Sequence, residues 1–434
     1  MTRRPEDARA APPSGTTLAV IKGESGRDVL RNTIINLGQI PALIVNRFRR
    51  RDPRTWVFGN IHGFRDSPRY MAEYVVSARP ALAVWWIAHS RAEAEDARRA
   101  GLNVALRGDK EATRIQRRAG VAFFTHGFRD LDLPQLAGAY LVYLWHGTPL
   151  KRIGLDVSVS GARRRSFAVR GAARVVRWFQ RRAFGWVGLF VAASELDQER
   201  FMTAFAVPRE RVPVLGSPRF DVIRGGSAYK RIVGDDLRAR LGYRTDDYLC
   251  VWLPTHRREY GDANWLPSLS GDDLDEMLGE TKVQLLVKPH PRADWDVYHD
   301  RLPDHGRIKL LRESEIDVNT LLHIADALVT DYSSVVADYI ILDRPVEFFA
   351  PDIDTYSDNR GLYEPYEKLT GGMHHGSFGS LLMSLRDDSM GRESARGMAV
   401  ARHMAGYCRP NTDLEACSRI VDVIIESVGR GASR

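Results

Sequence analysis

The chain has 434 residues, 44% apolar and 27% charged, a balance that suits a globular protein of two or three domains and excludes a disordered or fibrous one. Its formal charge of +8 favours anionic partners, but with no zinc-finger, RNP or helix-turn-helix pattern the expected partner is not nucleic acid. Cys250, Cys408 and Cys417 are too few and too irregularly spaced for a disulfide scaffold or a thiolate metal site, and point to a reducing compartment, the cytosol.

Residues 1–54 read as a tail followed by an amphipathic segment. Arg3-Arg4 leads into Pro-Glu-Asp-Ala-Arg rather than an apolar core, so no export signal is expected. Thr33 to Val45 is the longest apolar stretch near the start, but Asn36, Gln39 and Pro41 interrupt it and it is too short to span a bilayer. Arg27 to Arg51 mixes apolar and basic residues, which leaves a membrane contact and a homo-oligomer interface as open alternatives.

Residues 55–213 alternate short apolar runs with longer amphipathic ones. Trp56–Phe58, Leu82–Ile87, Val121–Phe124, Tyr140–Trp145 and Leu189–Ala192 have the rhythm of a parallel sheet with crossover helices. Within this region Gly161 to Trp186 carries Arg163, Arg164, Arg165, Arg170, Arg174, Arg177, Arg181 and Arg182 without an acidic residue, together with Trp178 and Phe184. Such a segment suits an anionic membrane surface, or else a packed helix with a solvated arginine face.

A second series runs through residues 214–410: Tyr248–Leu253, Val283–Val287, Ile308–Leu311, Ala327–Val329 and Val346–Phe349. The Gly216-Ser217-Pro218 turn separates the two series. Residues 411–434 close the chain with an expected helix from about Asn411 to Val428 that could return to the first domain. The expected fold is therefore α/β, two Rossmann-like doubly wound domains facing across a cleft, with function in the loops after each strand.

Those loops carry the chemistry. Leu144-Trp145-His146-Gly147-Thr148-Pro149 ends a strand, and Thr148 and Pro149 suit an N-cap and a first helical residue. The helix dipole would then favour a neutral His146, fit to act as a base. Lys288-Pro289-His290-Pro291 holds an imidazole between prolines beside a cation. Pro254-Thr255-His256-Arg257 offers a hydroxyl, an imidazole and a guanidinium fork suited to a diphosphate. Thr330-Asp331-Tyr332-Ser333-Ser334 opens a helix pattern with hydroxyls and unpaired N–H groups suited to phosphate. Asp338, Asp343 and Arg344 read as a helix-end charge cluster, and Arg360-Gly361 as a loop over the ligand. No His-Glu-x-x-His, Walker or Gly-x-Gly-x-x-Gly pattern is present, so group transfer from an anionic nucleotide donor fits best.

Together, Trp145-His146-Gly147-Thr148-Pro149-Leu150-Lys151, Gly216-Ser217-Pro218-Arg219, Pro254-Thr255-His256-Arg257, Lys288-Pro289-His290-Pro291, Thr330-Asp331-Tyr332-Ser333-Ser334, Asp343-Arg344-Pro345 and Arg360-Gly361 resemble the CDP-glycerol glycerophosphotransferase family, which primes or polymerises teichoic acids and related capsule polymers. Trp56-Val57-Phe58-Gly59 and Ser67-Pro68-Arg69-Tyr70 extend the likeness weakly towards the start. The resemblance implies a GT-B fold, a CDP-glycerol or CDP-ribitol donor, a lipid-linked or polymeric acceptor, no metal or other cofactor, and peripheral attachment to the cytoplasmic membrane face. It implies catalytic roles for His146 and His290. The donor is expected at Gly147, Thr255, His256, Arg257, Lys288, Thr330, Asp331, Ser333, Ser334 and Arg360.

Two departures stand out: His256 occupies a position where the family often has a bulky aromatic residue, and Phe220-Asp221 stands where it often has Asn-Asp. The rival readings are a GT-B glycosyltransferase or epimerase using a nucleotide sugar, and a non-catalytic scaffold for anionic polymer or membrane.

Overall fold

The computed structural model describes residues 40–157, 178, 180–225, 237–257, 261–268, 271–302, 306–312, 316–391, 396–413 and 415–432. They form two compact units. One comprises the described residues up to Phe64 together with Pro80–Tyr140; the other comprises Arg65–Arg79 and the described residues from Leu141 onwards.

The first unit contains α1 (Ile40–Arg47), β1 (Asp52–Phe58) and β2 (Ala83–Ala88), and it continues past α2 (Asp66–Ala78), which packs in the second unit, to α3 (Arg91–Arg99), β3 (Asn103–Leu106), α4 (Lys110–Arg118) and β4 (Ala119–Phe124). The strands are parallel in the order β3-β2-β1-β4, with Trp56 opposite Val84 on one side and Val121 on the other. Every residue of β4 is buried, as expected of a parallel strand covered on both faces. Strand β3 was not legible in the sequence, since Asn103-Val104-Ala105-Leu106 offers too short an apolar run to stand out.

The second unit pairs β5 (Tyr140–Tyr143) with β6 (Val187–Phe190) through Leu141 onwards, and then adds α5 (Glu195–Phe205) and α6 (Pro218–Ile223). Its main sheet is β7 (Tyr248–Trp252), β8 (Val283–Val287), β9 (Ile308–Leu310), β10 (Ala327–Thr330) and β11 (Val346–Phe348), parallel in the order β11-β10-β7-β8-β9. Leu249 and Val251 of β7 enter one apolar cluster, with Leu286 and Leu328, while Cys250 and Trp252 enter another, with Leu285 and Val329. The period-2 alternation thus buries both faces, which is why these runs read as continuously apolar. From β7 the sheet winds one way through β8 and β9 and the other way through β10 and β11, so the carboxyl ends of β7 and β10 flank a topological switch point, where such folds bind ligands.

Among the remaining helices, α7 (Val318–Ile324), α8 (Val335–Tyr339), α9 (Ile353–Arg360), α10 (Phe378–Ser389) and α11 (Arg396–Cys408) surround this sheet, and α12 (Ala416–Ala432) packs on α6 and α2. The closing helix starts later than expected because Arg409 and Glu415 take positive φ and Asp221 caps it from afar, accepting from Ala416 N and Cys417 N at 2.9 Å each. Among the described residues no helix is long and apolar enough to cross a membrane.

Candidate active site

At the switch point of the second unit, Asp331 is the hub. Fully buried, it accepts from Thr255 N at 3.1 and 3.0 Å, from Tyr332 N at 2.6 Å and from Arg257 Nη1 at 2.6 Å, tying the loop after β7 to the loop after β10. Thr330, also fully buried, donates Oγ1 to Leu253 O at 2.9 Å. Both residues therefore shape the turn from beneath.

Arg257 was expected at the diphosphate, and its placement corrects that expectation. It is 1% exposed; Nε and Nη2 reach Asp352 at 2.8 and 3.1 Å, and Nη1 is shared between Asp331 and Thr255 O. The guanidinium also lies over Trp265, 4.2 Å from the ring centroid, and over Tyr332 and Tyr356. Burial opposes its charge, but Asp331 and Asp352 outweigh burial and hold it protonated. Its role is to fix the loops.

What the loops then present is a hydroxyl and two imidazoles. Thr255 Oγ1 and His256 Nδ1 are buried with no hydrogen-bond partner among the described residues. The His256 ring lies parallel to the ring of exposed His290, centroids 5.7 Å apart and planes at 16°. The His290 Nδ1 accepts from Arg292 N at 3.1 Å, which fixes the ring. Lys288 is largely buried, donating Nζ to Arg312 O at 3.1 Å. The α9 helix ends at Arg360, whose side chain lies outside the described residues, as do Arg163, Arg164, Arg165, Arg170, Arg174 and Arg177. Trp178 is half exposed, with Arg182 stacked 5.6 Å from its centroid; Arg181 is exposed.

The other end of the Asp331–Ser334 turn meets the His146 loop. Gly147 has φ +116°, and a Cβ added there would lie 2.9 Å from Ser334 Oγ and 3.1 Å from Arg219 Nη1. Four residues of extended chain reach no further than roughly 14 Å, so the turn brings the Thr255 and Gly147 loops to its two ends over a short span. Ser333 Oγ accepts from Val335 N at 3.3 Å, whereas the Ser334 hydroxyl makes no capping bond to the five-residue α8. Tyr332 stacks on Tyr356 with centroids 3.6 Å apart, and Lys151 Nζ lies 5.3 Å over that same Tyr356 ring.

The helix expected from Thr148 is absent. Residues 144–150 form coil, and the chain then pairs with the segment after Arg360 through an antiparallel bridge between Lys151 and Leu362, with Arg152 N donating to Gly361 O and Tyr363 N to Leu150 O. The dipole argument for a neutral His146 therefore falls. The loop is instead fixed from α5: Arg200 donates Nη1 to Pro149 O at 2.7 Å and Nη2 to Tyr407 Oη at 2.6 Å, and its guanidinium lies 4.5 Å over Tyr363. Burial pushes the Asp197 carboxyl up to about 6 even though Thr148, Ala193 N and Ser194 bond to it. Before His146, Trp145 is held at φ +58°, a strained setting for a large side chain, by packing against Tyr143, Phe201 and Phe205. Its ring covers the His146 ring at 4.2 Å.

Sequence reasoning missed Arg200, Asp197 and the partners of Arg219. It also missed a set in the first unit, where the loops after β1, β2 and β4 carry His62, His89 and His126. The His62 and His126 rings meet edge-on at 4.5 Å, and His89 Nε2 lies 3.0 Å from Asp130 O. Asp130 accepts from Ile61 N, Thr125 N and His126 N, and burial pushes its carboxyl up to about 6. A histidine within four residues of the end of each of these strands was the signal available. Among the described residues no group of three or more His, Cys, Asp or Glu is placed to hold a metal ion.

Comparison with known proteins bears on this arrangement. The profile of the CDP-glycerol:poly(glycerophosphate) glycerophosphotransferase family matches residues 42–426. The chain belongs to that family. Among its relatives, the teichoic acid poly(glycerol phosphate) polymerase of Staphylococcus epidermidis is 28% identical over 339 residues, which cover 75% of this chain and 44% of the relative. The teichoic acid glycerol-phosphate transferase of Staphylococcus aureus is 31% identical over 240 residues, 52% of this chain and 57% of the relative. The chain thus spans about half the length of these glycerophosphotransferase relatives. The structure of the wall teichoic acid polymerase TagF superposes with a TM-score of 0.69 at 23% identity, over 93% of this chain and 97% of that one, which establishes the GT-B fold.

Proposed function

We propose that the chain transfers a polyol phosphate, glycerol phosphate in the first instance, from a CDP-activated donor to a hydroxyl of a lipid-linked or polymeric acceptor, in the synthesis of a teichoic-acid-like polymer. The acceptor oxygen attacks the polyol-bearing β-phosphorus, a new P–O bond forms, the bond from that phosphorus to the bridging oxygen breaks, and CMP leaves with the bridging oxygen. His146 takes the acceptor proton, a contribution of roughly 10²- to 10⁴-fold in rate. The Ser333–Ser334 turn, Thr255, His256 and His290 meet the diphosphate, and the charge developing on it is what these fixed donors stabilise.

The observation that carries this reading is the closeness of Gly147 to Ser334 and Arg219: a Cβ added at Gly147 would lie 2.9 Å from Ser334 Oγ and 3.1 Å from Arg219 Nη1, so the loop bearing the proposed base runs directly against the proposed phosphate turn. Names of the relatives agree, since they are described as acting on glycerol phosphate. The setting we infer is the inner membrane face, reached through the 161–186 arginine segment.

The test is release of CMP from CDP-glycerol and CDP-ribitol, offered side by side, by the wild type and by His146→Ala and His290→Ala. Both variants are expected to fold and to lose release. Near-wild-type turnover in His146→Ala would remove the base assignment; release from UDP- or CMP-sugars in preference to either CDP-polyol would replace the reading by a glycosyltransferase.

A further inference from the structure

In the second unit, buried Asp331 ties together the loops that leave β7 and β10, the strands at its switch point. The first unit has a switch point of its own. From β1 the chain winds through β2 and β3 on one side, while β4 lies on the other. Phe58 of β1 is level with Phe123 of β4, so the loops after these two strands leave the sheet at one height, the place where doubly wound folds bind ligands. The tie here is Asp130. Its buried carboxylate accepts from Ile61 N at 3.0 Å and from Thr125 N and His126 N at 2.7 Å each, which joins the β1 loop to the β4 loop. The two loops run so close that a Cβ added at Gly59 would lie 2.6 Å from Asp130 O and 2.7 Å from Leu131 Cδ2.

This scaffold brings imidazoles together above it. Asn60 Oδ1 accepts from His62 N at 3.0 Å and turns the β1 loop, and the exposed His62 ring then meets the half-buried His126 ring edge-on. His89, from the loop after β2, braces the pair from the side: its Nε2 donates to Asp130 O at 3.0 Å, and its Nδ1 lies 3.5 Å from Arg107 Nη1. Burial first, with Arg107 and His62 acting in the same direction, holds His89 below its ordinary value, so this ring is a neutral support.

Three imidazoles invite a metal ion, but both ring nitrogens of His89 are taken, one by a carbonyl and one by a guanidinium, and among the described residues no metal-binding group is formed. The chemistry on offer is hydrogen bonding. An imidazole both donates and accepts, and it takes up a proton beside an anion. Arg107 adds a cation. The acids of the set turn away from solvent: Asp130 serves the loop amides, and buried Glu93 accepts from Trp86 Nε1 and His89 N at 2.7 Å each. Such donors suit a ligand in which hydroxyl and phosphodiester groups alternate.

We propose that His62 and His126 form the acceptor subsite, binding the polyol-phosphate unit at the end of the acceptor chain, with Asp130 and His89 bracing them from beneath. The identity of the ligand rests on the transfer reading above, which assigns the donor to the switch point of the second unit and leaves a second substrate to be held. The site itself rests on the geometry of the first unit alone.

Isothermal titration of the full chain with a short soluble oligomer of glycerol phosphate, with inorganic phosphate and with CDP tests this, beside CMP release from CDP-glycerol in the presence of the oligomer. The variants are H62A and H62A/H126A, with circular dichroism to confirm the fold. The wild type is expected to bind the oligomer more tightly than phosphate. H62A/H126A should weaken the oligomer and raise its KM at least about tenfold, the scale of one or two lost hydrogen bonds to a charged group, while CDP still binds. Unchanged oligomer affinity in that variant, or CDP affinity lost in step with it, overturns the subsite. If H62A/H126A does not fold, H62A decides on the same comparison, because that side chain is exposed. A wild type that releases CMP but holds the oligomer no better than phosphate removes the subsite and leaves the transfer reading standing. Oligomer binding that depends on these histidines, without CMP release, does the reverse.

Discussion

Arg219 and Asp66 form a two-point ion pair, Nε to Oδ1 at 2.6 Å and Nη2 to Oδ2 at 2.7 Å, between residues 153 positions apart. The remaining fork of Arg219 reaches Asp338 Oδ2 at 2.7 Å and passes beside Gly147. Burial opposes the charge on Arg219, and the two carboxylates outweigh it. This pair is also why α2 packs in the second unit, helped by Tyr70, whose hydroxyl bonds Asp317 and Asn319 of the α7 start. Arg219→Met removes the guanidinium that pairs with the buried carboxylate of Asp338 and the partly buried one of Asp66, and is expected to cost about 3 to 5 kcal/mol in urea unfolding. Arg219→Lys should restore only part of this, because an ammonium cannot reproduce the fork. A loss below about 1 kcal/mol, the scale of a surface pair, would contradict the role.

Gly147 makes a second prediction. At φ +116° a non-glycine residue is strained whatever the space, and here the space is also taken. Gly147→Ala is expected to keep the fold but lower kcat/KM for CDP-glycerol at least about tenfold, since a small displacement of a reacting loop is costly. Adding Ser334→Ala removes the atom 2.9 Å from the new methyl and should recover part of the loss, not all, because the φ strain and Arg219 remain. Equal activity in Gly147→Ala and wild type would mean the loop and the turn do not act together.

Arg257 shows both the reach and the limit of the sequence. The strand runs were legible because parallel strands buried on both faces read as unbroken apolar stretches, and the residues after them could be placed at strand ends from that alone. Which of those residues turn into the protein was not legible. Thr255, His256 and Arg257 are consecutive in the chain, yet the first two hold buried polar atoms without hydrogen-bond partners among the described residues while Arg257 turns inward to Asp331 and Asp352. Its partners lie 74 and 95 positions away, and no local pattern encodes such a pairing. The missing helix after Thr148 has the same cause: cap and proline signals were present, but Arg200 and the bridge to Leu362 claim the backbone.

The inward placement gives Arg257→Lys a distinctive outcome. A side chain that met only phosphate would change KM and leave stability alone. Buried as it is, its replacement by lysine should lower stability by about 3 kcal/mol or more, with activity falling in step with the folded fraction under mild urea. Unchanged unfolding with a raised KM would return Arg257 to the diphosphate.

Asp388 predicts a pH dependence away from the switch point. It sits on α10, nearly buried, next to Glu347, which accepts from Ser384 Oγ at 2.6 Å and lies 2.8 Å from His375 Nε2. Burial first, and the neighbouring Glu347 carboxylate second, push Asp388 from its ordinary 3.8 up to about 8. The unfolded chain therefore releases this proton near pH 4, while the folded chain keeps it until about pH 8. Between those values the folded state binds the extra proton, so stability falls as pH rises, by up to about 1.4 kcal/mol per pH unit; the contribution is complete below the lower value and gone above the upper one. Asp388→Asn cannot ionise and loses that slope. Relative to wild type it should gain at least about 2 kcal/mol between about pH 5 and about pH 9 in urea titrations at matched ionic strength. Parallel stability curves for the two proteins across that range would show that Asp388 is already ionised in the fold.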